Sequence, residues 1–413
     1  MGSPLNLPTR ARAKPTEGDA IAFATVLRHR VVALPLLLVA TLTSACGGDE
    51  PGPRAEKPLF GGTRDGSAPT SPGFPELATK NTTRVSAGDS AGIAAGVALA
   101  VHPSGTPDTR PAAVTLVDID NWAVAISAAQ LAGPGVGAPI LFTDGESLHE
   151  ASRGALARLR PTGIESLRGA QAIRAGTPAR APGLSEVNVE GATPAALARE
   201  IDRLHTRVTG RAGESVVVAP LSEPATAMPA AAWAAKSGDP VLWADSDELP
   251  RETVSAISSR NRPRIHVLGS RAAIGPRVMR RLERLGDVER IAGADAAATS
   301  VAFARHRRAG FGWGVVDPGH GLVFASSARP TDAAAAAPLS AAGSYGPLLV
   351  LPDGAMPAPI GEYLLDIRPG YESDPVRGVY NHGWLMGDVT TISSQAQSRI
   401  DSLLEIQPVD REP

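Results

Sequence analysis

The chain repeats itself at an interval of about 100 residues, and this periodicity limits the folds that it can adopt. Gly88, Gly191 and Gly293 each stand just ahead of a helix-like run of small residues, and they lie 103 and 102 residues apart. A unit of this size that recurs three times indicates tandem copies of one supersecondary pattern. The repeat therefore sets the domain organisation before any site is considered.

Each unit continues with an apolar run, an Ala-rich helix and a short apolar strand opened by proline. These prolines are Pro139, Pro240 and Pro347. A further helix and a closing strand follow in every unit, and the pattern places the closing strands at residues 163–169, 264–269 and 377–383. The sequence thus predicts helices and strands in regular alternation.

Short apolar strands that alternate with helices favour parallel pairing through right-handed crossovers, with helices on both faces of each sheet. The predicted fold class is α/β, with three tandem α/β repeats whose parallel sheets are flanked by helices. The repeats are expected at residues 81–180, 181–285 and 286–407, followed by a tail at 408–413.

The N-terminal region, residues 1–45, carries an export signal. Arg28 and Arg30 precede an apolar stretch at 31–45, and small residues then lead directly into Cys46. The pattern resembles a bacterial lipobox, in which the cysteine thiol receives a diacylglyceryl group, although Leu42 lies one place early. The alternative is an ordinary cleaved signal peptide. Residues before 26 show no secretion pattern, so translation starting near residue 26 is a further hypothesis.

Residues 46–80 hold the lipidated cysteine and a segment dense in Pro, Gly and Ser, which predicts a flexible tether. No later apolar run is long enough to span a bilayer. We therefore expect the protein on the outer face of the cytoplasmic membrane, in the cell envelope, with the lipid as its membrane contact.

Composition narrows the classes of partner. The chain has 40 basic and 42 acidic residues, a net charge of -2, which argues against a nucleic-acid binder. Abundant Ala, Gly, Pro and Arg is typical of high-GC genomes such as those of actinobacteria. One cysteine excludes an internal disulfide and a paired-cysteine zinc site. Nothing in the sequence fixes the oligomeric state, and a monomer is compatible with it.

The sequence has no His-Glu-x-x-His motif and no phosphate-binding loop. The eight histidines are scattered along the sequence. The prediction is a protein that is not an enzyme, with no cofactor and no metal site. An envelope hydrolase would require two carboxylates in a shared cleft, which sequence spacing alone does not exclude.

The ordered landmarks between about residues 83 and 404 resemble the cell-wall-binding repeat 2 family of Gram-positive surface proteins. The resemblance implies three repeats assembled as an intramolecular pseudo-trimer, which attaches non-covalently to anionic wall polysaccharides. Pro330 to Leu339, with Asp332, is the closest single match; Val124 and Thr226 occupy the place of Asp332 in the other copies. The Arg-x-x-Thr pattern usual after Gly-Asp is degraded here.

The resemblance also implies ligand-binding residues. The Pro-opened strands match the Pro-Ile-Leu-Leu region that the family uses in ligand attachment, and the matching candidates are Ile140, Leu141, Phe142, Val241, Leu242, Leu348 and Leu349, beside Asp332. The alternative for these apolar residues is that they simply form buried strands.

Polar candidates follow the first strand of the first repeat. Ligands of open parallel sheets bind beyond the carboxyl ends of strands, which makes Asp118 and Asn121 candidate ligand-binding residues. The alternative is that Asp120 or Asn121 caps the next helix.

Two arginine runs offer positive charge to a wall polymer: Arg277, Arg280, Arg281 and Arg284, then Arg305, Arg307 and Arg308. The first run falls on one helix face. With Glu283 and Glu289 close in sequence, the alternative is a solvated face whose charges pair internally.

Together these observations predict a lipid-anchored, non-enzymatic cell-envelope protein that binds an anionic cell-wall polysaccharide or another envelope glycan. A solute-binding lipoprotein of a transport system is the alternative, because a lipid anchor, a tether and α/β domains also describe that class.

Overall fold

The computed structural model describes residues 75–343 and 346–409. Cys46, the signal region and most of the tether lie outside these residues. Within the described part, no helix is both long enough and apolar enough to cross a membrane.

The described chain forms sixteen strands and twelve α-helices. The first group, in chain order, is β1 (Pro75–Ala78), β2 (Thr82–Val85), α1 (Ser90–Val101), β3 (Val114–Asp118), α2 (Trp122–Ala128), β4 (Ile140–Asp144), β5 (Ser147–Leu148), α3 (Glu150–Leu159) and β6 (Ala172–Ala175). The second group is β7 (Glu186–Val189), α4 (Pro194–Thr209), β8 (Ser215–Pro220), α5 (Pro224–Ala227), α6 (Pro229–Ser237), β9 (Val241–Ala244), α7 (Arg251–Ser258) and β10 (Arg264–Leu268). The third group is α8 (Pro276–Glu283), β11 (Asp287–Ile291), α9 (Ala296–Arg305), β12 (Gly321–Ser326), α10 (Thr331–Ala342), β13 (Leu348–Leu351), α11 (Ala358–Asp366), β14 (Gly370–Tyr371), β15 (His382–Met386), α12 (Ser394–Leu404) and β16 (Gln407–Pro408).

Three main sheets share one strand order, and the four strands of that order are parallel throughout. The orders are β4-β3-β6-β7, β9-β8-β10-β11 and β13-β12-β15-β2. Antiparallel β5 extends the first sheet and antiparallel β1 extends the third. This confirms the predicted fold class of parallel sheets flanked by helices.

The fourth strand of each sheet is the element that sequence patterns missed. Each of these strands, β7, β11 and β2, directly precedes the small-residue helix of one unit. It nevertheless pairs with the closing strand of a different unit and completes the sheet of that unit. The third sheet is closed by β2 from the beginning of the described chain, where Thr82 pairs with Gly383. These strands have four or five residues and carry charged side chains, so they lack the apolar signal used to find the others.

Two of the predicted closing strands are displaced along the chain. Residues 163–169 contain a 3₁₀ turn at Glu165–Leu167, and the strand is β6 instead. Gly163, Arg168 and Gly169 all have left-handed backbone angles, which are incompatible with an extended strand. In the third unit the strand is β15 rather than residues 377–383, because a 3₁₀ turn occupies Pro375–Arg377.

The Ala-rich helices α2, α6 and α10 pack against one another between the sheets. Small side chains allow this: a Cβ on Gly133 would lie 2.6 Å from the carbonyl oxygen of Ala235. One apolar core contains residues of all three sheets, and a second covers the other face of the third sheet. The pseudo-trimeric arrangement of the repeats stays a prediction.

Candidate functional site

The apolar candidates lie in the interiors of β4, β9 and β13, where none is more than 1% exposed: Ile140, Leu141, Phe142, Val241, Leu242, Leu348 and Leu349. This burial agrees with the alternative interpretation, in which these residues simply form buried strands. Their role in ligand attachment stays a prediction, and the described conformation leaves these side chains no surface to offer a polymer.

Asp118 and Asn121 lie together at the carboxyl end of β3, where both are engaged by backbone amides. Asp118 Oδ1 accepts a hydrogen bond from the Asp120 amide (3.0 Å), and Oδ2 accepts one from the Gly145 amide (3.2 Å). Asn121 Oδ1 accepts a bond from the Val124 amide at 3.4 Å, so the predicted helix cap is confirmed. Asp118 thereby fastens the end of β3 to the turn that follows β4.

Asp332 is completely buried at the start of α10. Its carboxylate accepts a bond from Ser90 Oγ (2.6 Å) and pairs with Arg329, whose Nε lies 3.0 Å from Oδ2. Arg329 also donates to the Gly88 carbonyl and to Thr391 Oγ1. Burial raises the pKa of Asp332 to about 6, against the lowering effects of Arg329 and Ser90. Asp332 therefore joins α10 to the start of α1.

The equivalent positions in the other repeats have no such ion pair. Val124 is buried among apolar residues, and Thr226 donates to Glu223 at 2.9 Å. Thr331, beside Asp332, donates to the Ile119 carbonyl at 3.4 Å, so the start of α10 touches the loop that carries Asp118. Asp118 and Asn121 thus serve contacts within the first repeat, Asp332 joins the third repeat to the first, and the three do not form one open site.

An open groove of about 1160 Å³ lies elsewhere, between α3 and the loop from β6 to β7. Its lining combines apolar surface with four arginines and one glutamate. The lining residues are Arg110, Glu146, Ser147, Leu148, Arg153, Leu156, Ala157, Arg160, Pro161, Gln171, Pro178, Arg180, Pro182 and Leu184. We call this surface the arginine groove.

One wall of the arginine groove is a single helical face. Arg153, Leu156 and Ala157 follow the spacing i, i+3, i+4, which places them on one face of α3, and Arg160 follows directly after the last helical residue. Arg160 ends the helix in a left-handed conformation (φ 46°) and donates to the Ser104 carbonyl at 3.2 Å. The helix end and this bond set the direction of the Arg160 side chain.

The opposite wall is a proline-rich loop held at both ends. Pro178 and Pro182 restrict its backbone, and the Ala181 amide donates to Glu186 Oε1 at 2.6 Å. Across the floor, Gln171 Nε2 donates to the Pro161 carbonyl at 2.7 Å. The groove is therefore shaped by backbone contacts that are already formed.

Among the described residues, three of the four arginines form no ion pair. Arg153 donates to the Leu148 carbonyl (3.1 Å) and Arg160 to that of Ser104, and no described carboxylate pairs with either. The Nε of Arg110 is buried without a hydrogen-bond partner among the described residues. Arg180 differs, because it lies 3.7 Å from Glu186, which also pairs with Arg174. Guanidinium groups in this state can bind phosphate or carboxylate oxygens in pairs.

A smaller pocket in the second repeat contains arginines whose charges are neutralised by carboxylates of the same chain. It is lined by Arg260, Arg262 and Arg264 with Glu214 among its members. Arg264 pairs with Glu214 at 2.9 Å, and Arg260 pairs with buried Asp202 at 2.7 Å. Two of its three cations are thus already satisfied within the chain, unlike those of the arginine groove.

The arginine runs singled out from the sequence lie outside this groove, and several members have partners. Arg281 on α8 donates to the Leu249 carbonyl at 3.3 Å. In the second run, Arg305 pairs with Asp366, and Arg308 lies 3.4 Å from Glu289. The helical spacing along α3 was the signal that could have identified the groove, because it repeats the spacing noted for α8.

Comparison with known proteins shows what the chain is similar to. No family model matches it, and no curated protein matches its sequence. Among solved structures, Cwp6 from Clostridium difficile is similar with a TM-score of 0.63 and 17% identity, covering 79% of this chain and 48% of Cwp6. Cwp8 from the same organism is similar with a TM-score of 0.62 and 17% identity, covering 79% of this chain and 52% of Cwp8. This chain thus spans about half the length of two proteins whose α/β fold it shares.

Proposed function

We propose that this chain is a non-enzymatic protein of the cell envelope that binds an anionic cell-wall polysaccharide through the arginine groove. The observation that carries the proposal is the set of three arginines, Arg110, Arg153 and Arg160, that no carboxylate neutralises among the described residues. Apolar surface between these charges suits the carbon faces of sugar rings, while the guanidinium groups suit phosphate or carboxylate substituents.

The fold supports an envelope setting. Cwp6 and Cwp8, which share it, are cell-wall proteins. Their likeness to this chain is one of fold, so the polysaccharide and the mode of attachment belong to the proposal. The lipobox-like sequence around Cys46 supports membrane anchoring at the outer face, which would let one molecule connect membrane and wall.

Co-sedimentation with purified cell walls tests polymer binding. The protein is incubated with walls before and after removal of their anionic polymers, across a series of salt concentrations. Loss of binding on stripping, together with weakening by salt, is the expected result, because exposed charge pairs are screened. Binding that survives stripping would indicate peptidoglycan or another envelope glycan instead.

Absence of binding to any wall preparation would reject the proposal. The solute-binding lipoprotein would then become the leading alternative, to be tested by small-molecule binding measured through the melting temperature. Anchoring is tested separately: Cys46→Ser should release the protein from the membrane fraction and abolish incorporation of labelled fatty acid.

A further inference from the structure

Three side chains with metal-binding atoms converge between the second and third repeats. His266 on β10 and Glu289 on β11 are direct partners in the parallel pair, and His306 follows the last residue of α9. Glu289 Oε2 lies 3.5 Å from His306 Nε2 and 3.9 Å from His266 Nδ1. One donor atom from each residue fits within a span of 4.8 Å. We call these residues the His-Glu-His cluster.

His266 is buried and His306 is partly buried, and ring nitrogens of both lack hydrogen-bond partners among the described residues. His266 is 2% exposed, and neither of its nitrogens is hydrogen-bonded to any described residue; the same holds for Nε2 of His306. The separations from Glu289 are too long for hydrogen bonds. Burying a polar group without a partner costs free energy, and two such atoms beside one carboxylate, His266 Nδ1 and His306 Nε2, point to an additional ligand.

Neighbouring residues hold the cluster in position. The ring of Phe311 stacks on that of His266 with centroids 3.4 Å apart and planes within 4°. Arg308 Nη1 lies 3.4 Å from Oε1 of Glu289, so that oxygen is engaged while Oε2 faces the histidines. Such supporting contacts orient the ligands of metal sites.

We propose that His266, Glu289 and His306 bind a divalent transition-metal ion of the zinc type. Two imidazoles and one carboxylate are a ligand set that Zn²⁺ accepts, whereas Ca²⁺ and Mg²⁺ prefer oxygen ligands. Tetrahedral zinc with bonds of about 2.0–2.1 Å places its ligand atoms roughly 3.3 Å apart, which small side-chain movements from the observed spacing achieve.

The bound ion would join parts of the chain that separate repeats contribute. β10 and β11 belong to the second sheet, while α9 packs against β13 of the third sheet. His306 ends α9, so a metal held by all three residues fixes this helix to the neighbouring sheet. The role assigned is therefore structural, and it is independent of polysaccharide binding at the arginine groove.

Metal binding is tested on the full chain after treatment with a chelator and dialysis. Titration calorimetry with Zn²⁺ should show one site that Glu289→Gln and His306→Ala weaken by about tenfold or more. The matched control is His320→Ala with Asp317→Asn, a histidine-carboxylate pair (3.1 Å) for which the described residues supply no third ligand. The control variant should bind Zn²⁺ like the wild type.

A second readout does not depend on the variants folding. Co²⁺ added to the wild-type chain should give the strong visible absorption of a four- or five-coordinate site with nitrogen ligands, and Zn²⁺ should displace it. Zn²⁺ should also raise the melting temperature of the wild type more than that of Glu289→Gln. Unchanged affinity in both cluster variants, equal loss in the control, or no such cobalt spectrum in the wild type would each overturn the proposal.

Discussion

Arg84 donates hydrogen bonds from Nε and Nη2 to Oε1 of Gln397, a residue 313 positions further along the chain (3.0 and 2.9 Å). The same guanidinium donates to the carbonyls of Gly387 and Asp388, both at 2.8 Å. Gln397 in turn donates to Thr82 Oγ1. A fully buried arginine on β2 therefore fastens the beginning of the described chain to α12 and to the end of β15.

Replacing Arg84 should destabilise the third sheet. Arg84→Met keeps the length of the side chain but leaves the three acceptors without donors, and bonds to charged groups contribute about 1.5–3 kcal/mol each. We expect a loss of about 3 kcal/mol or more in the free energy of unfolding, measured by urea denaturation. Arg399→Met, an exposed change on α12, is the control. A variant as stable as this control would contradict the role given to Arg84.

Neutralising the arginine groove should weaken wall binding without affecting folding. Arg153→Gln combined with Arg160→Gln removes two positive charges while keeping polar side chains of similar reach. The dissociation constant for wall polymer should rise about tenfold, since two charge-assisted contacts are lost, and its dependence on salt should become shallower.

The matched control for the groove is Arg203→Gln with Arg207→Gln on α4, which removes the same charge from an exposed helix face outside the groove. Equal weakening in both double variants would mean that overall charge, not the groove, governs binding. Circular dichroism of each variant verifies that the fold is retained.

The buried carboxyl of Asp332 should make stability depend on pH in an identifiable direction. Its pKa rises from 3.8 to about 6 in the folded protein, so the folded state holds the proton more tightly than the unfolded state. The contribution of this group to the free energy of unfolding is therefore greatest below pH 4 and falls as the pH rises through about 6. The total change is about 3 kcal/mol at 1.36 kcal/mol per pKa unit.

The comparison that isolates this effect is Asp332→Asn, measured by urea unfolding at intervals between pH 4 and 7. The stability of the wild type relative to the variant should fall across this range. Parallel curves for the two proteins would show that Asp332 has the same pKa in both states.

A hydrogen bond between repeats should be detectable through tryptophan. Trp243 Nε1 donates to Ser127 Oγ (2.9 Å), and Ser127 donates to the Val241 carbonyl (3.1 Å), which joins α2 to β9. Ser127→Ala leaves a buried indole without an acceptor, so we expect a loss of about 1–3 kcal/mol in stability and a changed near-ultraviolet spectrum. The exposed change Ser166→Ala should do neither.

The sequence predicted a helix or strand correctly wherever the residues of that segment alone carried the apolar pattern. The Pro-opened strands and the Ala-rich helices were found because apolar residues concentrate there, and Ile140 and Leu348 lie in strands as the pattern indicated. β7 was missed because Glu186, Val187 and Asn188 are all at least partly exposed, so only the neighbouring strand makes this segment extended.

Candidate sites were harder to predict because each one combines residues that are distant in the sequence and meet only in the folded chain. The arginine groove combines α3 with a loop twenty to thirty residues away, and only the half on α3 has a periodic signal. His266 and Glu289 meet through strand register, and His306 reaches them from the end of α9, which packs against the third sheet. None of these contacts corresponds to a fixed spacing in the sequence.

Closure of the third sheet by β2 has a consequence for the order of folding. β2 is made early, yet its parallel partner β15 is among the last elements of the chain, so the first two sheets can form before β2 joins the third. Such distant pairings are slow to form because a long loop must close first. Completion of the fold should therefore be a late, all-or-none event that requires both ends of the described chain, and a protein truncated before β15 would leave β1 and β2 as a two-stranded ribbon without a sheet to join.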